Sequence, residues 1–295
     1  MTSATTGFPS RSLAATPSPP TTSPKRAVPL GELQRAWQAV RSGQFSDPRH
    51  PVSDPSPGQT ARVLWVPDRG ERVLPVVGCA GSCGATTVAL AVAQSASGRA
   101  RVVECGPVST SGLVAASTAE LGRHSSSWVQ GTRGDVLLER TGQPLTTSPL
   151  DVPVPSPAPS AVQLTVLDVC WELGPLLTTR CWLADHVQQA DQLVLVAAAT
   201  VPGLRRLEST LETLTAKVIV AAVVGPPRRR WPAAVRHSLG PSTRALDRAG
   251  RLVVMPFDRR LAFAGLDSTP LPAALTAAAS QVLAAAGVSS EGPLT

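Results

Sequence analysis

From Val63 onward, short apolar runs alternate with amphipathic stretches. The runs Arg72–Gly78, Arg101–Glu104, Val162–Asp168, Gln192–Ala198, Lys217–Val224 and Arg251–Met255 predict strands. Each is nearly continuous in Val, Leu and Ala, as expected for strands covered on both faces. Between most of them, Gly84–Ser97, Ser111–Leu121, Gly174–Ala184, Val201–Leu214 and Trp231–Leu239 predict helices, and Pro272–Ala286 predicts a closing one. Alternation of this kind specifies an α/β fold, a mostly parallel sheet with helices on both faces in a three-layer sandwich. The Pro-rich segment Thr141–Ser160 reads as a surface loop before the third strand.

Residues 1–60 show no such pattern. They are dominated by Pro, Ser and Thr and predict a disordered N-terminal arm. One island, Pro29–Gly43, places Leu30, Leu33, Trp37 and Val40 at helical spacing. It predicts a short helix near 30–43, which either packs back on the domain or recognises a partner. The expected organisation is therefore the arm at 1–60, an α/β domain at 61–288 and a tail at 289–295. The N-terminus lacks the apolar core of a signal peptide, and the uncharged stretch 268–290 is too rich in Pro, Ala, Ser and Thr for a span. No membrane insertion and a cytoplasmic location are expected.

The chain has 295 residues, is 43% hydrophobic and only 16% charged, which excludes a wholly disordered chain and a coiled coil. Five cysteines in a chain this long make no disulfide framework and point to a reducing compartment. There is no Asn or Tyr, one Ile (Ile219), and two Lys (Lys25, Lys217) beside 25 Arg. The absent residues have AT-rich codons, so the composition points to a high-GC genome such as that of an actinobacterium or its mobile element.

The main candidate for chemistry is Gly78-Cys79-Ala80-Gly81-Ser82-Cys83-Gly84-Ala85-Thr86-Thr87, where a strand ends, small residues follow and a helix begins. Such a turn aims backbone N–H groups and the helix dipole at an anion. Gly84-Ala85-Thr86 stands where a P-loop has Gly-Lys-Ser/Thr. Thr165-Val166-Leu167-Asp168 ends a later apolar strand with a carboxylate, as a Walker B strand does. With Arg101–Pro107, Thr200–Arg206 and Val254–Asp258 in the same order, these segments resemble the ParA/MinD group of deviant-Walker P-loop ATPases, from about Val73 to the C-terminus.

The resemblance implies ATP and Mg2+ as cofactors, a homodimer as the assembly, and a cradle of Gly81, Ser82, Cys83, Gly84, Ala85, Thr86 and Thr87, with Thr86 and Asp168 at the Mg2+. Against the family's Lys-Gly-Gly-x-Gly-Lys-Thr-Thr, however, Ala80 and Ala85 replace both lysines. In place of Asp-x-Asp-Pro stands Glu104-Cys105-Gly106-Pro107, so Gly106 replaces a carboxylate associated with catalysis. Gly225-Pro226 stands where the family has a base-contacting Asn-Arg. Phosphoryl transfer depends on positioning and charge stabilisation, and one lost electrostatic donor costs about 10²–10³ in rate. The expectation is a degenerate member, weakly or non-hydrolysing, serving as a scaffold, positioning or regulatory component of a partition, mobile-element or secretion system. The rival is an active ATPase in which arginines such as Arg205 or Arg206 supply the missing charge.

Charge adds a further feature. Between Gly225 and Leu261 lie nine arginines and two acids, an excess that equals the formal +7 of the whole chain. Arg228, Arg229, Arg230, Arg236 and Arg244 are the candidate contacts to a polyanion, a nucleic acid or an acidic protein. A solvated arginine-rich face from a high-GC genome explains the same excess. A nucleotide-independent DNA-binding accessory using Arg228–Arg260 is the binding-class alternative. His50, His124, His186 and His237 show no metal-ligand spacing, and Cys79 and Cys83 read as small-residue packing.

Overall fold

The structure, a computed structural model, describes residues 64–288 except 108–109, 111, 143–146, 158–161 and 215–217. The expected arm, its helix near 30–43 and the tail lie outside the described residues.

Nine strands form one sheet among the described residues. They are β1 (Arg72–Gly78), β2 (Ala100–Glu104), β3 (Ala119–Arg123), β4 (Trp128–Arg133), β5 (Val136–Thr141), β6 (Leu164–Val169), β7 (Gln192–Ala198), β8 (Val218–Gly225) and β9 (Leu252–Pro256). Their order is β3-β4-β5-β2-β6-β1-β7-β8-β9. All neighbours from β5 to β9 run parallel, while β3–β4 and β4–β5 are antiparallel. The helices are α1 (Ala85–Gln94), α2 (Leu173–Thr178), α3 (Trp182–Gln189), α4 (Val201–Thr213), α5 (Ala233–His237), α6 (Pro241–Arg248), α7 (Arg259–Ala264) and α8 (Ala273–Ala285).

Alternate residues of the parallel strands enter two separate cores. Leu74, Val76, Val102, Val166, Val194 and Val196 meet α1 and α8 on one face. Val77, Val103, Leu167, Leu193 and Leu195 meet α2, α3 and α4 on the other. Each fully buried Val or Leu contributes about 1.5–3 kcal/mol, so both layers depend on strands that are apolar on both sides. The three-layer α/β sandwich is as the sequence predicts.

Strands β4 and β5 and helices α6 and α7 fall in no predicted element, and three predicted helices differ. Ser111–Leu121 is not a helix: the chain turns at Val114–Ala116 and becomes strand β3. The Gly112 and Leu113 N–H groups donate to the Glu104 carboxylate, and Thr118 N–H to Thr132 O, so the backbone is satisfied outside a helix. The predicted Gly174–Ala184 helix is two, broken between Thr178 and Trp182. Trp231–Leu239 shortens to α5, preceded by a 3-10 turn at Arg228–Arg230.

On the α3 face, Arg101 of β2 is fully buried. Its Nη2 lies 2.8 Å from Glu71 Oε1, its Nη1 3.1 Å from Glu139 Oε2, and its Nε donates to Thr165 Oγ1 at 2.7 Å. The Trp65 ring lies 5.5 Å from the guanidinium and packs edge-on against Trp182. Each buried carboxylate there has a cation, without which it would cost several kcal/mol.

Candidate functional site

Strand β1 is the middle of the parallel set, flanked by β6 and β7. The chain leaves β1 through α1 towards β2 on one side, and leaves β6 through α2 and α3 towards β7 on the other. Ligand crevices form where connections diverge like this, at the carboxyl ends of the strands. The loop Cys79–Gly84 sits at that point. Ser82 has φ 57° and Gly84 φ 91°, and Gly84 is the left-handed N-cap of α1. A β-carbon at Gly78 would approach Cys83 Sγ to 3.0 Å, so the loop's tight exit depends on that glycine. Gly81 and Ser82 are exposed, Cys83 is buried, and Gly84, Ala85, Thr86 and Thr87 are half-buried.

Beneath α1 the sheet register assembles a carboxylate pair. Glu104 ends β2 and Asp168 lies near the end of β6, and the two are direct partners across the parallel ladder. Both fall in phase with Val102 and Val166, so both point towards α1. Glu104 Oε1 accepts from Gly112 N–H at 2.9 Å. Asp168 is fully buried, and neither of its oxygens has a hydrogen-bond partner. Burial pushes the Asp168 carboxyl up to about 7 and Glu104 pushes it the same way, while the Thr86 hydroxyl and the Cys170 thiol pull it back in part. None of these influences is a cation. Arg205 and Arg206, the candidate substitutes for the P-loop lysine, lie exposed on α4 and act on Asp168 in no resolved way.

Cys170, the next same-face position after Asp168, completes the cluster. Its Sγ and a carboxylate oxygen from each of Glu104 and Asp168 lie within 4.8 Å of one another. Sequence spacing did not reveal this, because Glu104 and Asp168 meet only through a register between distant strands. Gly106 is explained at the same time. A β-carbon there would lie 2.4 Å from Cys170 Cβ, so the Gly106–Cys170 pair leaves no room for a carboxylate at 106. Gly225 is comparable: a β-carbon would meet Ala199 Cβ at 2.3 Å. Burial raises the Cys79 thiol to about 12 and also raises Cys83, so both stay protonated as packing groups.

The arginine segment follows β8 at the same carboxyl edge. Arg228 forms a bidentate pair with Asp247 and stacks 5.8 Å from the Trp231 ring. Arg236 donates to Trp231 O at 2.6 Å. Arg229, Arg230 and Arg244 are exposed and make no ion pair among the described residues. An open cleft of about 780 Å³ runs along β9, lined by Arg228, Leu252, Val254 and Gln281, and it touches none of the loop residues. Among the described residues no helix is long and apolar enough to cross a membrane.

Neither protein-family models nor curated proteins match the sequence. Among solved structures, the chain is similar to a protein of Borrelia burgdorferi B31 described as a candidate plasmid partition protein (BB_S35), bound to AMPPNP. The TM-score is 0.46 and the identity 9%, over 74% of this chain and 98% of that one. It is similar also to apo McdA from Cyanthece, with TM-score 0.46 and 12% identity over 73% and 99% of the two chains. Superpositions this loose assign neither ligand nor activity to the chain.

The unpartnered Asp168 sets a pH dependence. Its folded-state value of about 7 lies above the ordinary 3.8, so between those values the folded chain holds a proton that the unfolded chain releases. Stability therefore falls as pH rises through that window. In chelator-treated protein, Asp168→Asn is expected to be more stable than the parent at about pH 8, by on the order of 2–4 kcal/mol in urea denaturation. The difference is expected to vanish near about pH 4. A parent whose stability rises from pH 4 to 7 relative to the variant contradicts this assignment.

Proposed function

We propose that this chain is a degenerate P-loop protein of ParA/MinD type that hydrolyses ATP weakly or not at all. It works as a scaffold, positioning or regulatory component, in a partition, mobile-element or secretion system. The observation that carries this reading is the electrostatics under α1. A fully buried aspartate beside a second carboxylate stands where phosphates would need positive charge, and no cation among the described residues acts on it. The glycine turn, the α1 N-terminus and Thr86 keep the shape of an anion cradle. Ala80 and Ala85 withhold the lysines that would neutralise a triphosphate, and Gly106 withholds a carboxylate. With each such group worth about 10²–10³ in rate, their joint loss leaves almost no turnover.

Steady-state phosphate release from Mg·ATP tests this. The expected rate is indistinguishable from buffer and unchanged in Asp168→Ala. A rate well above background that Asp168→Ala abolishes overturns it, and would direct attention to Arg205 and Arg206 as replacement charges.

A second reading concerns the arginine segment. Arg229, Arg230 and Arg244 are exposed and make no ion pair among the described residues, which favours contact with a polyanion. Non-specific duplex DNA is the polyanion proposed, bound through phosphates only, because Trp231 is buried and unavailable for stacking. In low-salt binding to random duplex, Arg229→Ala/Arg230→Ala is expected to lower affinity and to flatten the log–log salt slope by about 2. An unchanged slope, or no binding by the parent at low salt, rejects it.

A further inference from the structure

The buried cluster under α1 has a composition that a P-loop cation site does not need. Two of its donors are carboxylates and the third is the Cys170 sulfur. Asp168 is aimed into the cluster with both oxygens unpartnered, although it is fully buried. Buried charges of this kind are ordinarily paired or coordinate a metal. On the opposite face of the same sheet, the chain satisfies Glu71 and Glu139 by burying Arg101 between them. Under α1 no cation among the described residues acts on Asp168.

We propose that Glu104, Asp168 and Cys170 form a nucleotide-independent site for a thiophilic divalent transition-metal cation of the Zn2+ type. Mg2+ takes oxygen donors in near-octahedral geometry and has no use for a thiol. A mixed oxygen and sulfur set suits a borderline-soft cation with tetrahedral preference. Ligand atoms around such an ion stand about 3.5 Å apart. The three donors, already within 4.8 Å of one another, reach that spacing by side-chain rotation. The Gly112 N–H bond to Glu104 Oε1 fixes the carboxylate from behind, as an outer-shell partner does. Gly106 leaves the space that Cys170 fills. The Thr86 hydroxyl is a neighbour of the Asp168 carboxyl. On binding, the Cys170 S–H bond breaks, a metal–sulfur bond forms and the proton leaves to solvent, with no change of oxidation state. The inference goes beyond the functional reading above and stands whether or not nucleotide binds.

The test uses the full chain, reduced, stripped with EDTA and desalted, with Co2+ as the spectroscopic probe and no nucleotide present. One equivalent of Co2+ is expected to bind with a near-ultraviolet thiolate-to-cobalt band, bleached by one equivalent of Zn2+ and unaffected by excess Mg2+. Cys170→Ser is expected to abolish the band, while Cys79→Ser keeps it. If Cys170→Ser does not fold by circular dichroism, the isosteric Asp168→Asn decides, with an expected loss of at least about tenfold in Co2+ affinity. Absence of the band in the parent, its survival in folded Cys170→Ser, displacement by Mg2+, or full affinity in Asp168→Asn each overturns the proposal. The phosphate-release assay is independent of all four outcomes, so failure of one reading leaves the other standing.

Discussion

Two carboxylates on neighbouring parallel strands, Glu104 and Asp168, are held in register beneath α1, with no basic side chain among the described residues acting on Asp168. Like charges placed directly opposite each other across a ladder are destabilising, more so when buried. The surrounding structure is arranged about this pair. Glu104 spends part of its charge on the Gly112 and Leu113 N–H groups, which holds the chain after β2 out of a helix. Cys170 sits where a side chain at 106 would otherwise stand, and Gly106 yields to it. Ala85, the first residue of α1, brings no charge to the site. The loop above turns through left-handed backbone at Ser82 and Gly84, and the carboxylate pair stands in register beneath α1.

The other face of the sheet shows that this is a local property. There Arg101 is buried between Glu71 and Glu139, with Thr165 and Trp65 completing its surroundings. A buried arginine sharing two carboxylates is costly to assemble and more costly to break. The sheet thus carries a cation-paired carboxylate cluster on one face, while on the other no cation among the described residues acts on Asp168. That contrast makes the deficit under α1 a feature of the site.

Much of this was legible in the residues. Apolar runs such as Leu193–Ala198 and Val218–Val224 can only be strands covered twice, and they placed the parallel sheet closely. The small-residue loop and Asp168 were visible because strand ends carry local signatures. The antiparallel extension was not, because β3 is exposed along its whole length and β4 and β5 bury polar residues such as Gln130, Glu139 and Arg140. The Gly134-Asp135 turn between β4 and β5, with φ 55° at Gly134, was the signal that would have revealed the hairpin. The roles of Glu104 and Arg101 depend on partners roughly thirty to sixty residues away, brought together by strand register, which no local spacing encodes. Arg228 reads in the sequence as one more surface cation, yet it is neutralised by Asp247.

The proposed function turns on the positive charge missing at position 85, which leaves a triphosphate at the loop weakly held or unbound. Calorimetric titration of Mg·ATP into the parent and into Ala85→Lys measures this most directly. The account predicts weak or no saturable binding by the parent and, in Ala85→Lys, affinity at least about tenfold above the parent's value or above the detection limit, corresponding to about 1.4 kcal/mol or more. Micromolar binding by the parent that Ala85→Lys leaves unchanged would contradict it.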